Sequence, residues 1–243
     1  GGWDIDSADL DKDGDIDLIA PDYWDKGISI LMNKTLAVSP VSSPSLNVYS
    51  NGVNDALRVQ GANDKNLLRV DGQGNTTIGG SAGTETGLFT DQKNSYYAGY
   101  GPWCVSNADL NKDGNVDLIT CMSDGGSIRV HINNGNGTFA NSVSYSTGGG
   151  YHVQSVATGD FDKDGDIDIA VSTYNTNYMQ IFMNNGNGTF AARVEYAAGS
   201  LPRSITAADL DKDGDIDIVT VNEFANTVSV FKNNGNGTFA AKV

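Results

Sequence analysis

One phrase occurs four times in this chain, and it limits the possible folds more than any other feature. It reads ADLDKDGDIDLIA from Ala8, ADLNKDGNVDLIT from Ala108, GDFDKDGDIDIAV from Gly159 and ADLDKDGDIDIVT from Ala208. Its first Asp falls at 9, 109, 160 and 209, so the steps are 100, 51 and 49. The first step is two periods of about 50, which implies five slots with the phrase absent from one. A second phrase, NNGNGTFA, starts at Asn133, Asn184 and Asn233 and keeps the same phase. A period of this size marks stacked supersecondary units, none of which buries its apolar face alone.

Within a period the pattern is that of strands. Ile128/Val130/Ile132, Met179/Ile181/Met183 and Val228/Val230 alternate with Arg129, Gln180 and Ser229. That is the period-two signal of a half-buried strand. A β-branched run such as Ile216-Asp217-Ile218-Val219 precedes it, and Asn-Gly-Asn-Gly follows as a hairpin turn tolerant of positive φ. No window of useful length has helical periodicity. The reading is an all-β chain, a β-propeller of four-stranded blades with five slots, one of them degenerate.

The slots divide the chain into 1–41, 42–100, 101–150, 151–199 and 200–243. Thr35-Leu36-Ala37 matches the Thr-Phe-Ala that opens the fourth strand elsewhere, so the first blade is expected to close near Val41. Residues 42–100 then read as a degenerate, metal-free blade. The alternative is a β-module inserted between the third and fourth strands of blade 1. Gly87-Leu88-Phe89 followed by Tyr97-Ala98-Gly99 echoes Gly188-Thr189-Phe190 followed by Tyr196-Ala197-Ala198-Gly199, so a standard fourth strand precedes Trp103.

The Asp phrase carries the chemistry. D-x-D-x-D-G-x-x-D puts carboxylates at loop positions 1, 3, 5 and 9, with a Gly at 6 that lets the chain wrap around one point. Such a cluster repels itself unless a cation sits in it. Hard oxygen ligands without His or Cys select Ca²⁺ over zinc or copper, and over the stricter octahedron of Mg²⁺. Position 7 would offer its backbone carbonyl. The sets are Asp9, Asp11, Asp13, Asp15 and Asp17; Asp109, Asn111, Asp113, Asn115 and Asp117; Asp160, Asp162, Asp164, Asp166 and Asp168; and Asp209, Asp211, Asp213, Asp215 and Asp217. About four Ca²⁺ ions are expected, with the second loop weakest because Asn111 removes a ligand charge. An EF-hand is excluded, since position 12 holds Ala20, Thr120, Val171 and Thr220 instead of Glu.

Composition narrows the partners. The 30 acidic residues exceed the 15 basic ones, a formal charge of −15, which argues against nucleic acid or an anionic membrane. No apolar run approaches the length of a membrane span. The chain opens Gly1-Gly2-Trp3 without an initiator Met, as a processed form or a fragment would. Cys104 and Cys121 flank the second Asp loop and read as a disulfide, with two buried thiols as the alternative. A hairpin symmetric about Asp113 would set residue 104 opposite 122, one residue out of line. Gly79-Gly80-Ser81-Ala82-Gly83 fits the nucleophile elbow by chance, with neither a helix nor a His partner behind it. His131 occupies a structural strand position, and His152 lies in a loop between repeats. Trp3 and Trp103 each precede a first Asp by six residues and read as packing groups, or as a stacking surface for sugar rings.

The Asp loop between two strands, then a third strand and NNGNGTFAA, resembles the VCBS/FG-GAP repeat family, which includes the propeller heads of integrin α subunits. The resemblance covers 1–41 and 87–243. It implies one Ca²⁺ per signed blade, held between the first two strands, in a secreted or cell-surface protein that binds glycans or proteins. Family propellers usually have seven blades, so five slots imply a small ring or part of a larger one. Residues 42–86, around LLRVDGQGNTTIGG, resemble the β-repeats of phage and bacterial fibre stalks. The expected function is a non-enzymatic, calcium-stabilised adhesion module whose inter-blade loops contact a glycan or an extracellular protein. The alternative is a scaffold domain of a secreted polysaccharide-degrading enzyme. No carboxylate pair outside the Asp loops suggests acid/base work.

Overall fold

The computed structural model describes residues 5–24, 26–33, 95–148 and 152–243 in full. Between 47 and 94 it describes the backbone of the strands named below. The chain divides into two compact units, Gly1–Asn33 with Thr90–Val243, and Lys34–Phe89.

The larger unit is a series of antiparallel sheets. The first holds β1 (Asp6–Ala8), β2 (Asp17–Asp22) and β3 (Gly27–Asn33). The smaller unit follows in sequence, with β4 (Asn47–Tyr49), β5 (Asp55–Gln60), β6 (Asn66–Asp71) and β7 (Thr76–Gly80) forming one sheet in chain order. The strand β8 (Phe89–Tyr97) then joins the first sheet beside β3. This corrects the boundary expected near Val41: the fourth strand of the first sheet is β8, and residues 34–88 stand between its third and fourth strands. Local similarity of Thr35-Leu36-Ala37 to Thr-Phe-Ala misled because strand pairing depends on a partner some 60 residues away, not on the local phrase.

Three further sheets follow. The second has β9 (Pro102–Ala108), β10 (Asp117–Met122), β11 (Ser127–His131) and β12 (Val143–Ser146). The third has β13 (Val153–Gly159), β14 (Asp168–Thr173), β15 (Tyr178–Phe182) and β16 (Val194–Ala197). The fourth has β17 (Pro202–Ala208), β18 (Asp217–Asn222) and β19 (Thr227–Phe231). No helix occurs among the described residues.

The core sits between successive sheets. Leu10, Ile28, Ile30 and Met32 meet Val105, Leu118 and Phe139 at the first junction. Ile119, Ile128 and Val130 meet Val153, Ile169 and Phe182 at the second, and Phe161, Ala170 and Ile181 meet Ile205, Ile218 and Phe231 at the third. The strands β10 and β14 are therefore buried along their whole length, as strands covered on both faces must be. Leu10, Leu110 and Phe161 at loop position 2 are each 1% exposed, whereas Leu210 is 50% exposed.

The hairpins share one register. Asp17, Asp117, Asp168 and Asp217 pair with Ala8, Ala108, Gly159 and Ala208 across eight-residue turns. An even-numbered turn is centred between Lys112 and Asp113 rather than on Asp113. Cys104 therefore faces Cys121 directly, with Cα atoms 5.1 Å apart, and the two form a disulfide. The one-residue offset inferred from the sequence is thus removed.

Candidate metal centre

Each Asp loop lies between the first two strands of its sheet, and its carboxylates divide into brackets and free oxygens. The position-9 carboxylate is the bracket. Asp17, Asp117, Asp168 and Asp217 are no more than 1% exposed. In each, Oδ2 accepts from the backbone N–H of position 2 (Leu10, Leu110, Phe161, Leu210) at 2.9–3.1 Å. Oδ1 accepts from the N–H of Asn33, Asn133, Asn184 or Asn233 at 2.7–2.8 Å. A buried carboxylate needs such donors, and these two tie the loop to the end of the third strand.

Position 1 faces inward. Its Oδ2 accepts from the Gly N–H at position 6, as Gly14 to Asp9 (3.1 Å) and Gly114 to Asp109 (2.8 Å) show. Those glycines have φ of 78–93°, the left-handed region that a side chain resists. The other oxygen, Oδ1 of Asp9, Asp109 and Asp160, is buried without a hydrogen-bond partner. Three buried, unpartnered carboxylate oxygens at one loop position fit a hard cation and little else.

The carboxylates converge in three loops. Oxygens of Asp9, Asp11 and Asp13 lie within 4.8 Å of one another, as do those of Asp160, Asp162 and Asp168, and those of Asp209, Asp211 and Asp217. The second loop assembles no such trio. There the Asn111 Nδ2 donates to Asp113 Oδ2 at 3.0 Å, so an amide occupies a carboxylate that a cation would take. Asn111→Asp is therefore expected to tighten calcium binding at the second loop, and equal affinities in calorimetric titration would contradict it.

Two of the position-7 side chains are paired with lysines of the preceding loop. Asp166 Oδ1 pairs with Lys112 at 2.5 Å, and Asp215 pairs with Lys163. In the fourth loop, Lys232 Nζ holds Asp211 Oδ2 at 2.7 Å, so a cation there competes with an ammonium group. The sequence reading missed Lys232, although Met32, Ile132 and Met183 stand at the same place in the other repeats. It also missed the NNGNG Asn as a loop-fastening group. His131 is buried against Thr120, with its pKa pushed down to about 4 by burial and by Arg129, which fits a structural role. Trp103 packs against the second core cluster; Trp3 and Ser81 to Gly83 lie outside the described residues.

Burial raises the carboxyls of Asp117 and Asp168 to about 6, partly offset by their backbone N–H donors. Their folded pKa lies above the ordinary 3.8, so the metal-free fold holds these protons more tightly than the unfolded chain does. That contribution, at most about 3 kcal/mol per group, is present at low pH and lost as pH rises through about 6. In EDTA the melting temperature should fall between pH 4.5 and 7; with Ca²⁺ replacing the protons it should not. A rise with pH in EDTA would contradict this.

The FG-GAP-like repeat family matches residues 109–171 and 162–220. That similarity spans the second, third and fourth Asp loops. No curated protein matches it. Among solved structures, a lectin from Agrocybe aegerita, described for specific recognition of non-reducing terminal N-acetylglucosamine, is 21% identical with a TM-score of 0.47. That match covers 100% of this chain and 65% of the lectin. Virginiamycin B lyase from Staphylococcus aureus is 13% identical (TM-score 0.43), over 99% of this chain and 70% of that one. The V. cholerae biofilm matrix protein Bap1 is also 13% identical (TM-score 0.40), over 90% and 53%. No helix among the described residues is long and apolar enough to cross a membrane.

Proposed function

We propose that this chain is a non-enzymatic, calcium-stabilised extracellular binding module whose sheets are blades of a β-propeller, and that it recognises a glycan or an extracellular protein. One observation carries the reading: a loop that presents buried, unpartnered carboxylate oxygens recurs in register along an array of FG-GAP-like repeats. The Asp residues at positions 1, 3, 5 and 9, with Asn111 in the second loop, would hold Ca²⁺. Bound there, the ion supplies positive charge that joins the ligand arms and stiffens the hairpin.

The binding face then lies at the other end of the sheets. In an antiparallel sheet the β1–β2 turn and the β2–β3 turn project from opposite ends. The β2–β3 and β18–β19 turns and the β8–β9 connection carry Trp24, Phe224 and Tyr100, which are 79%, 75% and 59% exposed. Exposed aromatic rings on short turns are suited to stack on sugar rings or to anchor a protein surface. A glycan-array screen with and without Ca²⁺, run beside a polysaccharide-degradation assay, tests the reading. Calcium-dependent binding without bond cleavage is expected. Polysaccharide breakdown by the purified chain would overturn the non-enzymatic assignment.

A further inference from the structure

Hydrogen bonds join each Asp loop to the next one along the array. We infer that the loops bind calcium cooperatively, occupancy of one raising the affinity of its neighbours through Asn133, Asn184, Asn233, Lys112 and Lys163. This inference rests on the calcium reading proposed above and names its regulation.

Asn133 shows how the link is built. Its Nδ2 donates to the Leu10 carbonyl of the first loop (2.9 Å) and to the Val116 carbonyl of its own loop (3.0 Å). Its backbone N–H donates to Asp117, the position-9 ligand of that loop, at 2.8 Å. The arrangement recurs. Asn184 joins Leu110 to Ile167 (2.8 and 2.9 Å), and Asn233 joins Phe161 to Ile216 (2.8 and 3.1 Å). These three Asn residues are 2–6% exposed, so water competes little for their bonds.

The gripped carbonyl belongs to loop position 2, between ligands 1 and 3. The N–H of the same residue donates to the position-9 ligand. An unbroken path therefore runs Asp17–Leu10–Asn133–Asp117–Leu110–Asn184–Asp168–Phe161–Asn233–Asp217. The lysines add a second link. Lys112 and Lys163, at loop position 4 between ligands 3 and 5, pair with Asp166 and Asp215 of the following loop. Between the first two loops the corresponding acidic partner is replaced by Asn115, so coupling there is weakest.

Ordering a loop of mutually repelling carboxylates costs free energy, and a cation offsets that cost in its own loop. It also fixes residues 2 and 4, whose carbonyl and ammonium are handed to the next repeat. The neighbouring loop then meets a partner already in place and its cation binds more tightly.

The position-6 glycines report each loop separately, because their N–H groups donate to the position-1 ligand. The full chain labelled with ¹⁵N-glycine is titrated with CaCl₂, following the Gly114, Gly165 and Gly214 amides. Asp160→Ala removes a ligand of the third loop only. The expected result is that the Gly114 and Gly214 midpoints both rise, by about fivefold or more. Adding Asn184→Ala and Lys112→Gln cuts the junction between the second and third loops. In that background Asp160→Ala should leave the Gly114 midpoint in place and still shift Gly214, a selectivity that general destabilisation would not produce. Should Asp160→Ala fail to fold, Asp162→Asn removes one charge with little change of shape and takes its place. Unmoved Gly114 and Gly214 midpoints overturn the coupling while leaving the calcium reading intact. A shift of Gly114 that survives the cut junction also overturns it, as long-range charge alone. Glycine amides of the unmodified chain that ignore CaCl₂ would instead sink the calcium reading itself.

Discussion

Chelation of calcium is expected to lower the melting temperature by roughly 10–20 °C. A ligand that binds only the folded state adds RT ln(1 + [Ca²⁺]/Kd), about 1.4 kcal/mol per loop at ten times Kd and about 6 kcal/mol over four loops. For a chain of this size each kcal/mol moves the midpoint by about 2–4 °C. Four ions also change the formal charge from −15 to −7 (−15 + 8), which relieves the repulsion concentrated in the loops. Extracellular sites work with Kd on the order of 10⁻⁴–10⁻³ M, so millimolar Ca²⁺ is the relevant range. Differential scanning calorimetry in EDTA and in 5–10 mM Ca²⁺, at about neutral pH, measures the difference. An unchanged curve after verified metal removal would refute the calcium assignment.

The second large effect is expected at Asp168→Ala. Asp168 is 1% exposed and accepts from Phe161 N–H at 2.9 Å and from Asn184 N–H at 2.8 Å. Truncation strands two buried donors, at about 1–3 kcal/mol each, besides removing one carboxylate of the Asp160/Asp162/Asp168 trio. A loss of about 3–5 kcal/mol is expected even in EDTA. Asp162→Ala is the contrast. Among the described residues, Asp162 accepts a single backbone bond, from Asp164 N–H at 3.3 Å, so its removal should cost little without calcium and abolish that loop's calcium-dependent stability. Urea denaturation of both variants in EDTA decides it. Equal stabilities would show that position 9 is only a metal ligand and not a bracket of the fold.

What was legible in the residues was whatever depends on neighbours close in sequence. Four copies of D-x-D-x-D-G-x-x-D located the loops and their position-1 carboxylates, because a nine-residue turn with Gly at its sixth position wraps in one way. Period-two alternation marked β11, β15 and β19, because a strand's two faces alternate whatever it pairs with. The NNGNG turn was visible as a hairpin for the same reason.

Only the tertiary structure decided what depends on partners far along the chain. The first sheet takes β8 as its fourth strand across a 34–88 segment, and no residue near Val41 records that pairing. Asn133, Asn184 and Asn233 look like turn residues in the sequence. Their second role, fastening the preceding loop, appears when Leu10, Leu110 and Phe161 carbonyls arrive from 123, 74 and 72 residues away. The position-7 Asp side chains divide by the same rule: their loop was evident locally, but the lysines that hold Asp166 and Asp215 come from the preceding repeat. Spacing along the chain determines the shape of a turn. Packing between sheets, which buries apolar faces that no single repeat can cover, determines which turns meet.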